Sequence, residues 1–186
     1  PTKGTCMVMG TASTMGCIVE ALGMGLPGSG SIPATHSDRL RVAEQSGRLA
    51  AEMAVKQGPR PSEIMTKAAF RNALAVLQAI GGSTNGLVHL TAVARRLGVE
   101  IDLEDFDQIG RRVPVLVDLK PSGDHYMEHF HWAGGTSRLM KEIRGQLDEN
   151  CTTVTGRTIK QVIDSAEIVP NQTVIRTRKN PIKPTG

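Results

Sequence analysis

The residues of this 186-residue chain that could do chemistry are a cysteine near its start, a histidine cluster, and two loops rich in hydroxyl groups. Cys6 stands four residues before Gly10, where a helix-starting run begins. A thiolate just before a helix N-terminus is stabilised by the helix dipole and by free backbone N–H groups, which lowers its pKa and suits it to bind a metal. A small buried residue would sit there equally well, since free cysteine is among the most buried residue types. Spacing alone leaves both readings open. Cys17 falls on or near the apolar stripe of the same helix and Cys151 opens a short extended piece, so both read as structural. His125, His129 and His131 form an HxxxHxH pattern whose i,i+4 pair could present two metal ligands on one helical face. The third fits that face less well, and half-buried surface histidines beside the loop at Gly134-Gly135 are the competing reading. His36 and His89 stand alone.

Two loops suit an anionic ligand better. Gly81-Gly82-Ser83-Thr84-Asn85 interrupts two helical patterns, and Lys120-Pro121-Ser122-Gly123 follows an apolar run. Helix N-termini and loops at the carboxyl ends of strands present backbone donors, and Lys120 adds a charge. Turn chemistry alone would also account for these residue types. The sequence contains no GxGxxG, GxxxxGK[ST] or GxSxG, so the standard nucleotide loops and the nucleophile elbow are absent.

The elements that must position these groups follow from periodicity and caps. Thr11-Ala12-Ser13-Thr14 offers hydroxyl N-caps for a helix carrying Met15, Ile18, Val19 and Leu22, which Gly23 ends. The stretch from Leu26 to Pro33 is too rich in Gly, Pro and Ser to be helical. A second helix starts near Ser37 or Asp38 with a small-sided stripe, Leu40, Ala43, Gly47, Ala50 and Ala54, that another element could approach closely, and Gly58-Pro59 stops it. Thr66 caps a helix through Phe70, Leu74, Leu77 and Ile80, and a further helix carries Leu87, Leu90, Ala94 and Leu97 up to Gly98. Asp102 begins a short acidic helix. Residues 113–119 read as a buried strand with Pro114 at its beginning. Thr136 and Thr158 cap two more helices, a β-like piece runs over residues 151–154, and residues 174–176 form a last strand. Apolar strand runs alternating with longer helical patterns predict an α/β fold, helix-rich, with a predominantly parallel sheet flanked by helices. Residues 1–178 read as one domain, and the Pro-rich residues 179–186 as a linker or domain edge.

Composition restricts the function classes. Hydrophobic residues at 39% and charged residues at 22% describe an ordinary globular domain. The 22 basic residues are opposed by 18 acidic ones and gather into no long block, and aromatics make up only 3%, so nucleic acid is not an expected partner. No apolar run approaches the roughly 20 residues of a membrane span, and no signal peptide is visible. Three cysteines without CxxC spacing read as reduced thiols, which places the protein in the cytoplasm.

The run Gly4-Thr5-Cys6-Met7-Val8-Met9-Gly10-Thr11-Ala12-Ser13-Thr14-Met15 resembles the dihydroxy-acid dehydratase and sugar-acid dehydratase (IlvD/Edd) family. The resemblance continues in order through Glu20-Ala21-Leu22-Gly23-Met24-Gly25-Leu26-Pro27-Gly28 and Ala79-Ile80-Gly81-Gly82-Ser83-Thr84-Asn85. It includes Val113-Pro114 with Lys120-Pro121-Ser122-Gly123, then Thr153-Val154-Thr155-Gly156, and finally Asn180-Pro181 through Pro184-Thr185-Gly186. It implies an iron–sulfur, Mg2+-dependent hydro-lyase that converts a 2,3-dihydroxy acid to a 2-oxo-3-deoxy acid. In that family three cysteines hold the cluster, and Cys6 matches the third of them. An open iron takes the C3 hydroxyl as Lewis acid, Mg2+ anchors the carboxylate side, and a serine removes the C2 proton.

The first two cluster cysteines, the Mg2+ ligands and the serine base of the family have no match here. The resemblance therefore implies that residues 1–178 are part of a larger N-terminal domain and residues 179–186 an interdomain linker, a piece that is inactive by itself and binds no stable cluster alone. Met7 and Val8, standing where many branched-chain enzymes carry two glycines, make the chain look closest to the pentonate (arabinonate/xylonate-type) dehydratases. That branch implies a sugar-acid substrate and a [2Fe–2S] cluster, with [4Fe–4S] as the alternative. The branched-chain dihydroxy-acid dehydratase and a non-catalytic α/β binding module are the competing functions. Ser83, Thr84, Asn85, Lys120 and Ser122 are expected to line or shape the substrate cleft. The intact protein is expected to be a homo-oligomer.

Overall fold

The computed structural model describes residues 6–186. Among these, the chain forms α1 (Thr11–Ala21), α2 (Ser37–Lys56), α3 (Pro61–Ile64), α4 (Lys67–Ala79) and α5 (Asn85–Arg96). It continues through α6 (Leu103–Gly110), α7 (Met127–Trp132), α8 (Gly135–Glu142) and α9 (Ile159–Asp164), with single 3₁₀ turns at Ser29–Ser31 and Arg144–Gln146. Helix α4 runs through the core: Phe70, Ala73, Leu74 and Val76 are all fully buried, and only its first turns expose Lys67 and Arg71. It packs against α1, α5, α6 and α8. Thr66 starts it, its hydroxyl accepting the Ala69 N–H at 3.3 Å. Asn72, buried within it, satisfies its amide on the backbone of Asp148 by donating to the carbonyl at 2.9 Å and accepting the N–H at 2.8 Å.

Local signals set several other ends. Asp102 caps α6 by accepting the Asp105 N–H at 2.7 Å, and Thr158 with Gln161 forms a capping box on α9. Asp102→Ala should therefore lower the stability of the protein by about 1 kcal/mol, measurable as a shift in the urea midpoint. Two expected caps fail. Gly10 is the N-cap of α1, with no side-chain bond, and α8 starts from Gly134, which leaves Thr136 inside the helix and buried.

The expected parallel sheet does not form. Residues 113–119 are extended and largely buried, but Val115 bridges Lys183, Val117 bridges Ile175 and Leu119 bridges His125. Each bridge goes to a different segment, so no two successive pairs share a neighbour and no ladder builds. The Leu116 N–H, facing the other way, is taken by the carbonyl of Ala79 at the end of α4. Thr152 likewise makes only one bridge, to Thr158. Among the described residues the fold is thus helical, with extended segments serving as straps, and the α/β expectation is overturned.

Helix α2 buries none of its residues. Arg39 ties its first turn to the preceding loop by donating to the carbonyls of Ser29, at 3.1 Å, and Ile32. The small-sided stripe that could admit a close neighbour has none at Gly47, where an added Cβ would meet nothing within 4 Å. No helix among the described residues is long and apolar enough to cross a membrane.

Candidate active site

The amino end of α1 is where the chemistry-bearing segments meet. Cys6 is half-buried in front of it, and its carbonyl accepts the Ser13 hydroxyl at 3.4 Å. The thiol lies over Gly10, 3.6 Å from where a Cβ would stand. No side chain caps the helix, so the polar groups of its first turn are left to the flanking loops.

The loop 81–85 docks on this end from one side. Ser83 donates its N–H to Thr14 Oγ1 at 3.0 Å, its hydroxyl bonds that of Thr11 at 3.1 Å, and Asn85 Nδ2 donates to Thr11 Oγ1 at 3.0 Å. Gly82 permits the approach: a Cβ there would lie 2.9 Å from Thr14 Cγ2 and 2.8 Å from Leu77 Cδ1. The loop after Leu119 closes from another side. The Met9 N–H donates to the Lys120 carbonyl at 2.8 Å, and the Met127 N–H to the Met7 carbonyl at 2.9 Å. The Lys120 ammonium sits 5.4 Å from the centre of the Tyr126 ring, a cation–π contact that holds the side chain over its own loop.

A cleft of about 920 Å³ lies beside this junction, large enough for a small organic acid. Ser83, Thr84 and Ser122 line it. Asn85 and Lys120 lie outside its lining and are engaged with Thr11 and Tyr126 instead. Cys6 borders a separate, smaller recess formed with the loop 30–33. The cleft also holds charged residues that sequence reasoning missed: Arg111 and Lys183 beside Asp107, Asp118 and Asp124, with Arg111 Nε donating to Asp107 Oδ2 at 2.7 Å. Lys183 was read as linker because it sits between prolines. Its segment is docked through the backbone, the Ile182 N–H donating to the Val115 carbonyl at 2.9 Å, and no residue type in the tail signals this.

The histidine pattern is divided between two places. His125 and His129 stack edge to face with centroids 5.5 Å apart, but His129 Nδ1 is occupied in accepting the Tyr126 N–H at 3.0 Å at the start of α7. His131 turns away to Ser31, His36 and Trp132. Burial, and then the neighbouring His36, push its pKa below the usual histidine value. His89 lies on α5, away from both groups in sequence and unpaired with either.

Burial pushes the Cys17 thiol up to about 12, and burial with the nearby Asp148 pushes Cys151 up to about 11. Neither is a thiolate at neutral pH, which leaves Cys6 as the thiol suited to iron. Among the described residues no group of three His, Cys, Asp or Glu side chains could hold a metal ion. The donor set thus fits one ligand position of an iron–sulfur cluster and neither a whole cluster nor a Mg2+ site.

The chain is 47% identical over its whole length to the dihydroxy-acid dehydratase of Caldanaerobacter subterraneus subsp. tengcongensis, covering 34% of that protein. It is 44% identical, again over its whole length, to the dihydroxy-acid dehydratase of Sulfolobus acidocaldarius, covering 34% of it. With the enzyme of that name from Mycobacterium ulcerans the identity is 46%, over all of this chain and 33% of the relative. The chain spans about a third of the length of the curated relatives it matches. These names favour the dihydroxy-acid side of the family over the pentonate branch suggested by Met7 and Val8. Residues 1–162 match the family model described as Dihydroxy-acid/6-phosphogluconate dehydratase N-terminal, and the chain belongs to that family of hydro-lyases.

Proposed function

We propose that the chain is the cluster-facing part of a dihydroxy-acid dehydratase, which removes the C2 proton and the C3 hydroxyl of a small 2,3-dihydroxy acid as water and leaves a 2-oxo acid. The observation that carries this reading is the 42–47% identity, over all of the chain, with relatives that bear that name. Cys6 is assigned as one ligand of an iron–sulfur cluster, whose remaining ligands and Mg2+ come from outside the described residues. Ser83, Thr84 and Ser122 are assigned to the wall of the substrate cleft, with Lys183 as the cation that meets the substrate carboxylate, since Arg111 is held by Asp107.

The test is formation of 2-oxo acid by the intact protein, purified anaerobically with Mg2+, from 2,3-dihydroxyisovalerate beside L-arabinonate, D-xylonate and D-gluconate. Turnover of dihydroxyisovalerate is the expected result. Turnover of an aldonate alone would move the protein to the sugar-acid branch, and no turnover of any would favour a non-catalytic module. In the same assay Ser122→Ala is expected to raise KM or lower kcat about tenfold, the cost of one hydrogen bond to a charged ligand. Unchanged constants would remove Ser122 from the site.

A further inference from the structure

Among the described residues Glu20 is the one acidic residue with a buried side chain, 3% exposed on α1 one turn after Cys17. Both of its carboxylate oxygens are engaged with the same loop. Oε2 accepts the Gly28 N–H at 2.7 Å and Oε1 accepts the Gly30 N–H at 2.6 Å. The loop lies so close to α1 that only glycine fits at position 30: a Cβ there would stand 2.5 Å from the Gly16 carbonyl oxygen and 2.8 Å from Glu20 Oε1. Past this tether, Gly30, Ser31, Ile32 and Pro33 form the wall of the recess that Cys6 and Ser13 border. The same stretch carries the Ser29 and Ile32 carbonyls that receive Arg39.

We propose that Glu20 is a positioning residue: its two carboxylate oxygens clamp the loop 28–31 onto α1 and thereby fix the wall that shields the Cys6 thiol. The proposal takes its functional meaning from the assignment of Cys6 as an iron ligand, while the clamp itself does not depend on it. Only a carboxylate can serve, because each of two converging N–H donors needs an acceptor. Glutamine offers one carbonyl oxygen and turns an NH2 group toward the second N–H, which leaves that donor orphaned.

Two readouts on cluster-free full-length protein test this, both independent of turnover. At pH 8, where the wild-type carboxyl is ionised, hydrogen exchange at the Gly28 and Gly30 amides should quicken in Glu20→Gln by at least about tenfold, the opening expected when a charge-assisted bond is lost. Alkylation of Cys6 by iodoacetamide, followed by peptide mass, should quicken with it, whereas Glu20→Asp, which keeps both acceptors, should recover part of the protection. Asn72→Ala removes a comparable buried tether elsewhere and should leave Cys6 alkylation at the wild-type rate. Unchanged amide exchange in Glu20→Gln would overturn the clamp. Faster exchange with unchanged Cys6 alkylation, or equal acceleration in Asn72→Ala, would reduce Glu20 to a structural residue. Absence of dehydratase activity would count against the proposed function and leave both readouts standing.

Discussion

Replacing Cys6 with serine in the intact protein is expected to lower kcat/KM by more than about 100-fold, beyond the 10–100-fold that changes around a metal's ligands produce. The thiol stands at the uncapped start of α1, half-exposed, with its neighbours supplied by backbone and hydroxyl groups. A serine hydroxyl is smaller and a far weaker acid, so it offers iron a hard neutral oxygen in place of a thiolate. Visible absorbance after anaerobic addition of iron and sulfide is the companion measurement, and it should fall together with turnover. Cys17→Ser and Cys151→Ser are the controls. Cys17 is enclosed in the core and Cys151 sits near Asp148, so both should keep the wild-type absorbance once refolded. Full absorbance and turnover in Cys6→Ser would remove it from the site.

What could be read from the sequence was what the chain encodes locally. Thr66, Asp102 and Thr158 start helices because each hydroxyl or carboxylate accepts an N–H three residues on. Gly98, at φ +71°, ends α5 for an equally local reason. Thr136 misled because two successive glycines with positive φ, Gly134 and Gly135, start α8 before it, and the threonine is drawn into the core beside Glu20 and Cys17. Residues 113–119 misled because their β-branched run is right for an extended buried segment, while ladder formation depends on what lies alongside. Three separate segments lie there, each contributing one bridge.

The site divides in the same way. Residue types flagged Cys6, Ser83 and Ser122, but the contacts that gather them span large separations. Thr11 meets Ser83 across 72 positions, and the Met9 N–H reaches the Lys120 carbonyl. No local pattern records these. Glu20 left no such signal either: at helical spacing it lies off the stripe of Met15, Ile18, Val19 and Leu22, and what buries it is a glycine-rich loop eight residues on.

That carboxylate should make the protein less stable as pH rises. Desolvation by burial raises the Glu20 pKa from its ordinary 4.5 to about 7, against the opposing pull of the Gly28 and Gly30 N–H groups and of Thr136. The folded state therefore holds a proton that the unfolded chain gives up. Its contribution is fully present below pH 4.5 and is lost as pH rises to 7, about 3 kcal/mol at roughly 1.4 kcal/mol per pH unit.

Other groups do not mimic this trend. Cys17, the ionisable neighbour on α1, stays neutral throughout. Asp38, Glu149 and Asp164 are carboxylates held below their ordinary values by hydrogen bonds from Arg41, Arg144 and Lys160, so they favour the folded state as pH rises, the opposite direction. His131, with its pKa lowered, likewise favours the folded state as pH rises past the usual histidine value. Urea unfolding of wild type and Glu20→Gln from pH 4.5 to 8 isolates the glutamate, because these groups are common to both. Wild type should lose about 3 kcal/mol relative to the variant across that range, and parallel curves would rule out a buried ionising Glu20. The expected sign also separates stability from positioning. Ionisation weakens the fold and at the same time provides the second acceptor that the loop needs, so a carboxylate at this position costs stability and returns a fixed wall beside Cys6.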